Sequence, residues 1–213
     1  MRSLCLLILA TAPAFAAGPF GFGLKGGVPF NDFTNAVQSG QFNYTSSTQR
    51  YIVGPMVELR LPAGLGLELD ALYRKFNYNS IGNAVDVIIN SRTESNAWEF
   101  PLVLKYKFKA PVARPYIEGG VAWDSLQGLK QDITRTVVST KTTSTTSTSS
   151  PSELHKSTTT GFVLGAGLDV KVLLIHISPE IRYTRWGAKH FLDPNGGFGS
   201  NQNQAEFLVG ISF

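Results

Sequence analysis

Apolar residues recur at every second position in segment after segment of this chain, with charged residues and glycines between them. Successive side chains of a strand point to opposite faces, so such a segment is a strand with one apolar and one polar face. In residues 96–108, Trp98, Phe100, Leu102, Leu104, Tyr106 and Phe108 oppose Glu99, Lys105 and Lys107. Residues 20–30 set Phe20, Phe22, Leu24, Val28 and Phe30 against Gly21, Gly23, Lys25 and Gly27. Residues 160–172 oppose Phe162, Leu164, Ala166, Leu168 and Val170 to Gly165, Gly167, Asp169 and Lys171. Residues 175–185 and 204–213 repeat the pattern, and 49–61, 65–76 and 114–126 follow it with lower contrast. The reading is eight strands, all antiparallel.

The connections alternate in length. Those at about 31–48, 77–95, 127–159 and 187–203 are long; those at about 62–64, 109–113 and 173–174 are short. An up-and-down barrel in an outer membrane has tight periplasmic turns and longer outer loops, and an even strand number leaves both ends on the periplasmic side. The N-terminus agrees. Arg2, an apolar run over 4–12 and the small-x-small triplet Ala14-Phe15-Ala16 form an export signal cut after Ala16. Residues 1–16 are thus expected to be removed, leaving a barrel domain over 17–213. The only cysteine, Cys5, lies in that leader, so disulfides and thiolate metal sites are excluded from the mature chain. Charged residues make up only 16%, against about a quarter in soluble proteins, which excludes a disordered chain. The net charge of +4 is spread without a basic run longer than two residues, so nucleic acid is not an expected partner.

Alternation does not say which face is inside. A soluble barrel turns its apolar face inward; a membrane barrel turns it to lipid. Two features favour the membrane. First, the polar face mixes glycine with long charged side chains of both signs, as a narrow interior with mutual pairing requires. Its acids are Glu58, Glu68, Asp70, Glu99, Glu118, Asp124, Asp169, Glu180 and Glu206; its bases are Lys25, Arg60, Arg74, Lys105, Lys107, Lys171 and Arg182. Sequence leaves register open, so individual pairs are not assigned. Second, the apolar face carries one aromatic per strand near the outer end: Phe30, Tyr51, Tyr73, Trp98, Trp123, Phe162, Tyr183 and Phe207. With Phe20, Tyr106, Phe108 and Phe213 at the other end, these make the two belts that bilayer interfaces select. Pro55, Pro101, Pro115 and Pro179 fall inside strands, where proline cannot donate a ladder hydrogen bond, so bulges are expected there.

The chain resembles the eight-stranded outer-membrane barrels, the group that includes the opacity proteins and the barrel domain of outer membrane protein A. The resemblance rests on Phe100-Pro101-Leu102-Val103-Leu104-Lys105-Tyr106, Arg114-Pro115-Tyr116-Ile117-Glu118-Gly119-Gly120, Pro179-Glu180-Ile181-Arg182-Tyr183 and the ending 207–213, and it spans about 18–213. It implies an outer membrane of Gram-negative type, and Phe213 is similar to the terminal signal read by the barrel-assembly machinery. The family tolerates proline at these places. The third long loop departs from the family: residues 139–150 are serine or threonine except Lys141, with no apolar anchor, and are expected to be mobile and dispensable for folding.

Chemistry is sparse. His176-Ile177-Ser178 with Glu180 looks like the base, hydroxyl and carboxylate of a lipid A deacylase, but it falls at the periplasmic end on the polar face. His190, Asp193 and Ser200 share the last outer loop, where palmitoyl transferases of this architecture act. His155, beside Lys156 in the Ser/Thr loop, reads as solvated. No metal or cofactor site is expected. The leading reading is a non-enzymatic monomeric barrel that contacts surface molecules through its outer loops, with outer-membrane lipid and the assembly machinery as partners. A lipid A-modifying enzyme is the alternative. A pore is a weaker third, since eight strands leave room only for side chains. A lipocalin-type periplasmic barrel is the rival fold.

Overall fold

The computed structural model describes residues 19–36, 42–46, 50–192 and 198–213. Its strands are β1 (Phe20–Pro29), β2 (Thr34–Ala36), β3 (Phe42–Ser46), β4 (Ile52–Arg60), β5 (Leu65–Asp70), β6 (Leu72–Ala84), β7 (Val87–Lys107), β8 (Ala113–Val137), β9 (Thr142–Thr148), β10 (Thr158–Val172), β11 (Ile175–Trp186), β12 (Phe198–Ser200) and β13 (Asn203–Ser212). The export segment 1–16 lies outside the described residues.

Eight antiparallel staves close the barrel: β1, β4, β5 with β6, β7, β8, β10, β11 and β13. The seam is β1 on β13, with Gly23 opposite Ser212 and Pro29 opposite Glu206. β5 and β6 are one stave. The register that sets Met56 opposite Asp70 continues unbroken to Val53 opposite Tyr73. The interruption at Ala71 has a chemical cause. Ala71 N–H donates to the Pro55 carbonyl at 3.0 Å, but Pro55 has no N–H to return the bond. The expected bulges are absent at all four prolines: Pro55 faces Leu24, Pro101 faces Ala122, Pro115 faces Leu168 and Pro179 faces Val209 in continuous register. Each proline forgoes one ladder bond, a net cost of about 1 kcal/mol, which a closed ladder absorbs more readily than a shift of every side chain by one rung. The register shift in the β7–β8 ladder lies elsewhere, between Glu94 and Asn96. The turn Pro62–Gly64 bends through Ala63 and Gly64, both at positive φ, and a side chain on Gly64 would stand 2.5 Å from the Lys107 carbonyl.

Two long loops expected between strands are themselves strand. β8 has 25 residues, more than twice the 9–11 that cross a bilayer. Its outer half, with β6, β7, β3 and β9, forms a sheet standing above the membrane. The same staves reverse their polarity on leaving the lipid. On β6, Tyr73 faces out and Arg74 is buried; one rung higher Lys75 faces out and Phe76 and Tyr78 are buried. On β7, Trp98 faces out, then Asn96, Glu94 and Arg92. Apolar groups turn outward where the solvent is lipid and inward where it is water.

The Ser/Thr stretch is likewise ordered, contrary to expectation. Thr142–Thr148 forms β9 and pairs with β8 from Gln131 to Val137. Hydroxyls meet across the ladder at 3.3 Å in Thr134–Thr145 and Thr136–Thr143, and the Ser147 hydroxyl donates to Asp132 at 2.5 Å. The Ser147 bond, then Lys130, holds the Asp132 carboxyl below its usual range. Backbone pairing and hydroxyl pairs replace the missing apolar anchor. β9 is exposed along its length and is paired on one side, by β8. Excising 138–150 and rejoining the ends with a short turn is therefore expected to leave the heat-modifiable folded band and its urea midpoint unchanged. Loss of that band would show that β9 supports the barrel.

Candidate functional site

The interior is filled in layers. Nearest the periplasm, Lys107 Nζ lies 2.5 Å from Glu58 and 3.0 Å from Asp169. Arg114 reaches Asp169 at 3.0 Å, His176 Nδ1 meets the other Asp169 oxygen at 2.7 Å, and Arg60 stands 3.8 Å from Glu58. In the middle layer three cations serve four carboxylates. Lys25 contacts Glu68 at 2.5 Å, Glu180 at 3.0 Å and Asp70 at 3.1 Å. Lys105 contacts Glu68 at 2.8 Å, and Glu118 and Glu180 at 3.3 Å. Arg182 contacts Asp70 and Glu180 at 2.8 Å, Glu118 at 2.9 Å and Glu68 at 3.5 Å. The Tyr116 hydroxyl donates to Glu180 at 2.6 Å. The carboxylates of Glu68, Glu118 and Glu180 converge closely enough to hold a metal ion. The ammonium groups of Lys25 and Lys105 and the Arg182 guanidinium already occupy the space between them, so the cluster is an ion-pair core.

Above it, Arg74 faces Asp124 at 2.9 Å, Glu206 at 3.7 Å and Glu99 at 3.8 Å. Gln204 donates to Glu206 and, at 3.4 Å, to Glu99. His190 Nδ1 meets the Lys156 carbonyl at 2.7 Å and Nε2 meets Asp124 at 3.2 Å. The ring thereby bridges the third-loop backbone to the buried Asp124 carboxylate. Over this layer lies an apolar cap of Phe33, Phe76, Tyr78, Ala97, Leu126, Phe191 and Phe198. Phe33 joins the two: its ring stacks on Phe76 at 4.4 Å and lies under the Arg74 guanidinium at 4.8 Å.

All nine acids assigned to the polar face from sequence lie inside. Among the bases, Lys25, Arg60, Arg74, Lys105, Lys107 and Arg182 take part. Lys171 does not. It is exposed one residue before the end of β10, where the lumen opens to water and no carboxylate lies within reach among the described residues. Arg114, not assigned before, takes the place: it stands directly across from Asp169 in the β8–β10 register. Tyr116 was also missed, though it shares the polar face with Glu118. The aromatic cap was missed because Phe33, Tyr78, Phe191 and Phe198 fall in segments read as loops and Phe76, Ala97 and Leu126 at the very ends of segments read as strands; the sign was the continued alternation of Arg74, Phe76 and Tyr78. The eight outer-end aromatics all lie on the outer face, from Phe162, 73% exposed, to the half-buried Tyr73 and Trp98, whose rings stand 5.3 Å apart.

The His176 set is not assembled, and of the last-loop set His190 and Ser200 are described. The carboxylate that meets His176 is Asp169, not Glu180, which is held in the middle layer by three cations and Tyr116. Ser178 lines the lumen wall, 8% exposed. Ser200 is buried, and its hydroxyl accepts the main-chain N–H groups of His190 at 2.7 Å and Phe191 at 3.3 Å. Asp193 lies outside the described residues. His155 is exposed, in keeping with a solvated role.

The sequence matches the outer membrane protein beta-barrel domain family over residues 3–213. The chain belongs to that family. Among solved structures it is similar to the outer membrane protein OprG of Pseudomonas aeruginosa, with TM-score 0.56 and 13% identity over 92% of this chain and 95% of that one. It is also similar to Neisserial surface protein A (TM-score 0.42, 11% identity, 92% and 96% covered) and to Ail, the attachment invasion locus protein of Yersinia pestis (TM-score 0.37, 8% identity, 91% and 98% covered). At these identities the likeness concerns the fold. A comparison with curated sequences gives no match. The family and the closed eight-stave architecture place the protein in the outer membrane of a Gram-negative-type bacterium.

Proposed function

We propose that this outer-membrane barrel is a non-enzymatic scaffold that presents its outer sheet and loops to surface molecules. The observation that carries this reading is the packed interior. Three layers of ion pairs and an aromatic cap fill the staves from end to end, and the His176 and His190 rings and the Ser200 hydroxyl are engaged in structural bonds. What the molecule offers to its surroundings is the sheet β3-β6-β7-β8-β9, lifted clear of the bilayer on rigid staves, a common arrangement for recognition surfaces. In this reading Phe30, Tyr51, Tyr73, Trp98, Trp123, Phe162, Tyr183 and Phe207 anchor the barrel at the outer interface. Phe213 acts as the assembly signal; its N–H donates to the Phe22 carbonyl at 3.0 Å and its main-chain oxygen accepts from Arg60 at 3.2 Å, so it latches the closing seam.

Planar-bilayer recording from the purified folded protein tests the closed interior. No steady single-channel current is expected, because an ion would have to displace paired charges in a space with little water. Large, stable openings would revive the pore. Mass spectrometry of lipid A from cells with and without the protein tests the absence of catalysis: identical spectra are expected, and a change in acyl chains would establish the enzyme.

A further inference from the structure

The outer sheet ends on an edge that its own sequence leaves unguarded. β9 is exposed except at the half-buried Thr148, and among the described residues it pairs on one side only, with β8. Such an edge offers unpaired main-chain N–H and carbonyl groups to another strand, and proteins usually guard it with charge, proline or a bulge. Between Lys141 and Pro151 this run holds only serine and threonine, and its register with β8 is unbroken.

The side chains of β9 define what fits that edge. Strand-addition sites select a foreign peptide through pockets for its alternate side chains. β9 offers instead a short hydroxyl at every position, on both faces. Where it already pairs, hydroxyl meets hydroxyl, at 3.3 Å in Thr134–Thr145 and Thr136–Thr143. The strand that supplies the same chemistry again is β9 itself. Laid antiparallel on a second copy about Thr145, Ser144 meets Thr146 and Thr143 meets Ser147. A slip of one or two rungs still sets hydroxyl against hydroxyl, so a run that specifies register weakly loses little by it.

Membrane orientation decides where that second copy stands. β8 runs outward and β9 returns toward the bilayer. Two barrels in one membrane are related by rotation about the membrane normal, which keeps both β9 strands running the same way. An antiparallel pair needs its two-fold axis parallel to the membrane, so its two barrels stand in facing membranes. The height of the strand suits this. β9 lies opposite Gln131 to Val137, well beyond Trp123 on the same strand, which places it about 20–35 Å above the outer aromatic belt.

We propose that β9 is a homotypic contact strand: the β9 edges of two copies in apposed outer membranes pair antiparallel and join their outer sheets edge to edge. The proposal rests on the reading of the outer sheet as a recognition surface and names its partner, a second copy of this chain. One ladder of this length is weak by itself, so the contact is multivalent and belongs to membranes carrying many copies.

The test uses the folded mature barrel in phosphatidylcholine liposomes, with its outer loops facing outward. Tethering is read by turbidity, and the gap between membranes by cryo-electron microscopy. Wild-type liposomes are expected to tether with their outer belts about 55 Å apart, and more steeply than in proportion to the copies per liposome. The double variant Thr143→Lys, Thr145→Lys sets like charges face to face and should weaken tethering on the order of 10-fold or more, with its heat-modifiable band intact. Liposomes carrying it should tether to liposomes carrying Thr143→Glu, Thr145→Glu, although neither tethers to its own kind. The control Asn79→Lys, Asn83→Lys adds the same charge on the exposed face of β6, away from the edge, and should change tethering by no more than about twofold. Excision of 138–150 should abolish it. Tethering that survives excision, an equal loss in the β6 control, or no tethering between the lysine and glutamate variants would each overturn the proposal. So would wild-type liposomes that stay apart, whether β9 then pairs copies within one membrane or takes a foreign strand. That result would leave the scaffold reading standing, since the scaffold reading falls only with a change in the acyl chains of lipid A.

Discussion

Replacing Arg182 with alanine is expected to destabilise this barrel by about 3–5 kcal/mol, the cost of leaving a buried charge cluster uncompensated. Arg182 is fully buried on β11 and lies within 3.5 Å of Glu68, Asp70, Glu118 and Glu180. Without it, Lys25 and Lys105 face four carboxylates alone in a space closed to water. The measurement is the urea midpoint of the heat-modifiable folded band. Adding Glu118→Gln to Arg182→Ala restores the charge difference of the layer and is expected to recover part of the loss, so the two changes are not additive. A wild-type midpoint in Arg182→Ala would show that water enters the layer and solvates the acids.

Phe191→Ala should cost a comparable amount, about 3–5 kcal/mol, but in a different place. Phe191 is fully buried at the centre of the cap, with its ring 5.4 Å from Tyr78, 5.8 Å from Phe76 and 6.1 Å from Phe198. It also bridges to Leu154, tying the last outer loop to the third. The cap is a water-facing core resting on a lipid-embedded barrel, so its loss is expected to release the loops while the staves stay closed. Hydrogen exchange should speed up at 153–156 and 187–192, with the urea midpoint of the folded band unchanged. A drop in that midpoint would mean that cap and barrel unfold as one unit, and unchanged exchange would mean that the cap repacks around the cavity.

The two variants probe parts of the molecule that were unequally visible beforehand. The alternation of Trp98, Glu99, Phe100 and Pro101 through Lys107 gave the face of Glu99, Lys105 and Lys107 in the lower half of β7, because each position reports its own side. The aromatic cap uses the same period with the opposite polarity. Tyr78 and Ser80 on β6, like Thr93 and Ser95 on β7, sit in stretches of serine, threonine and asparagine where the contrast between faces fades. Those stretches read as loop, although their backbones pair continuously from Leu72 opposite Glu99 to Ala84 opposite Val87. The Ser/Thr run was opaque for the same reason: β9 is held by backbone bonds and hydroxyl pairs, which leave no mark in hydropathy.

What the sequence by itself determined is the part set by local period and by solvent. Those are the strand number, the inward face with its nine acids, the outward aromatics and the short turns at one end. What only the tertiary structure decided is who pairs with whom. Arg182 reaches Asp70 across 112 residues of chain, and Lys25 reaches Glu180 across 155. Those meetings depend on the stagger of the strands around a closed ladder, which no single strand encodes. The exchange of Lys171 for Arg114 shows the same limit at one rung. Both lie on the polar face near the periplasmic rim, but only Arg114 stands opposite Asp169. Alternation gives a side chain its face; closure gives it a height and a neighbour, and in a dry interior the neighbour determines whether a charge is tolerable.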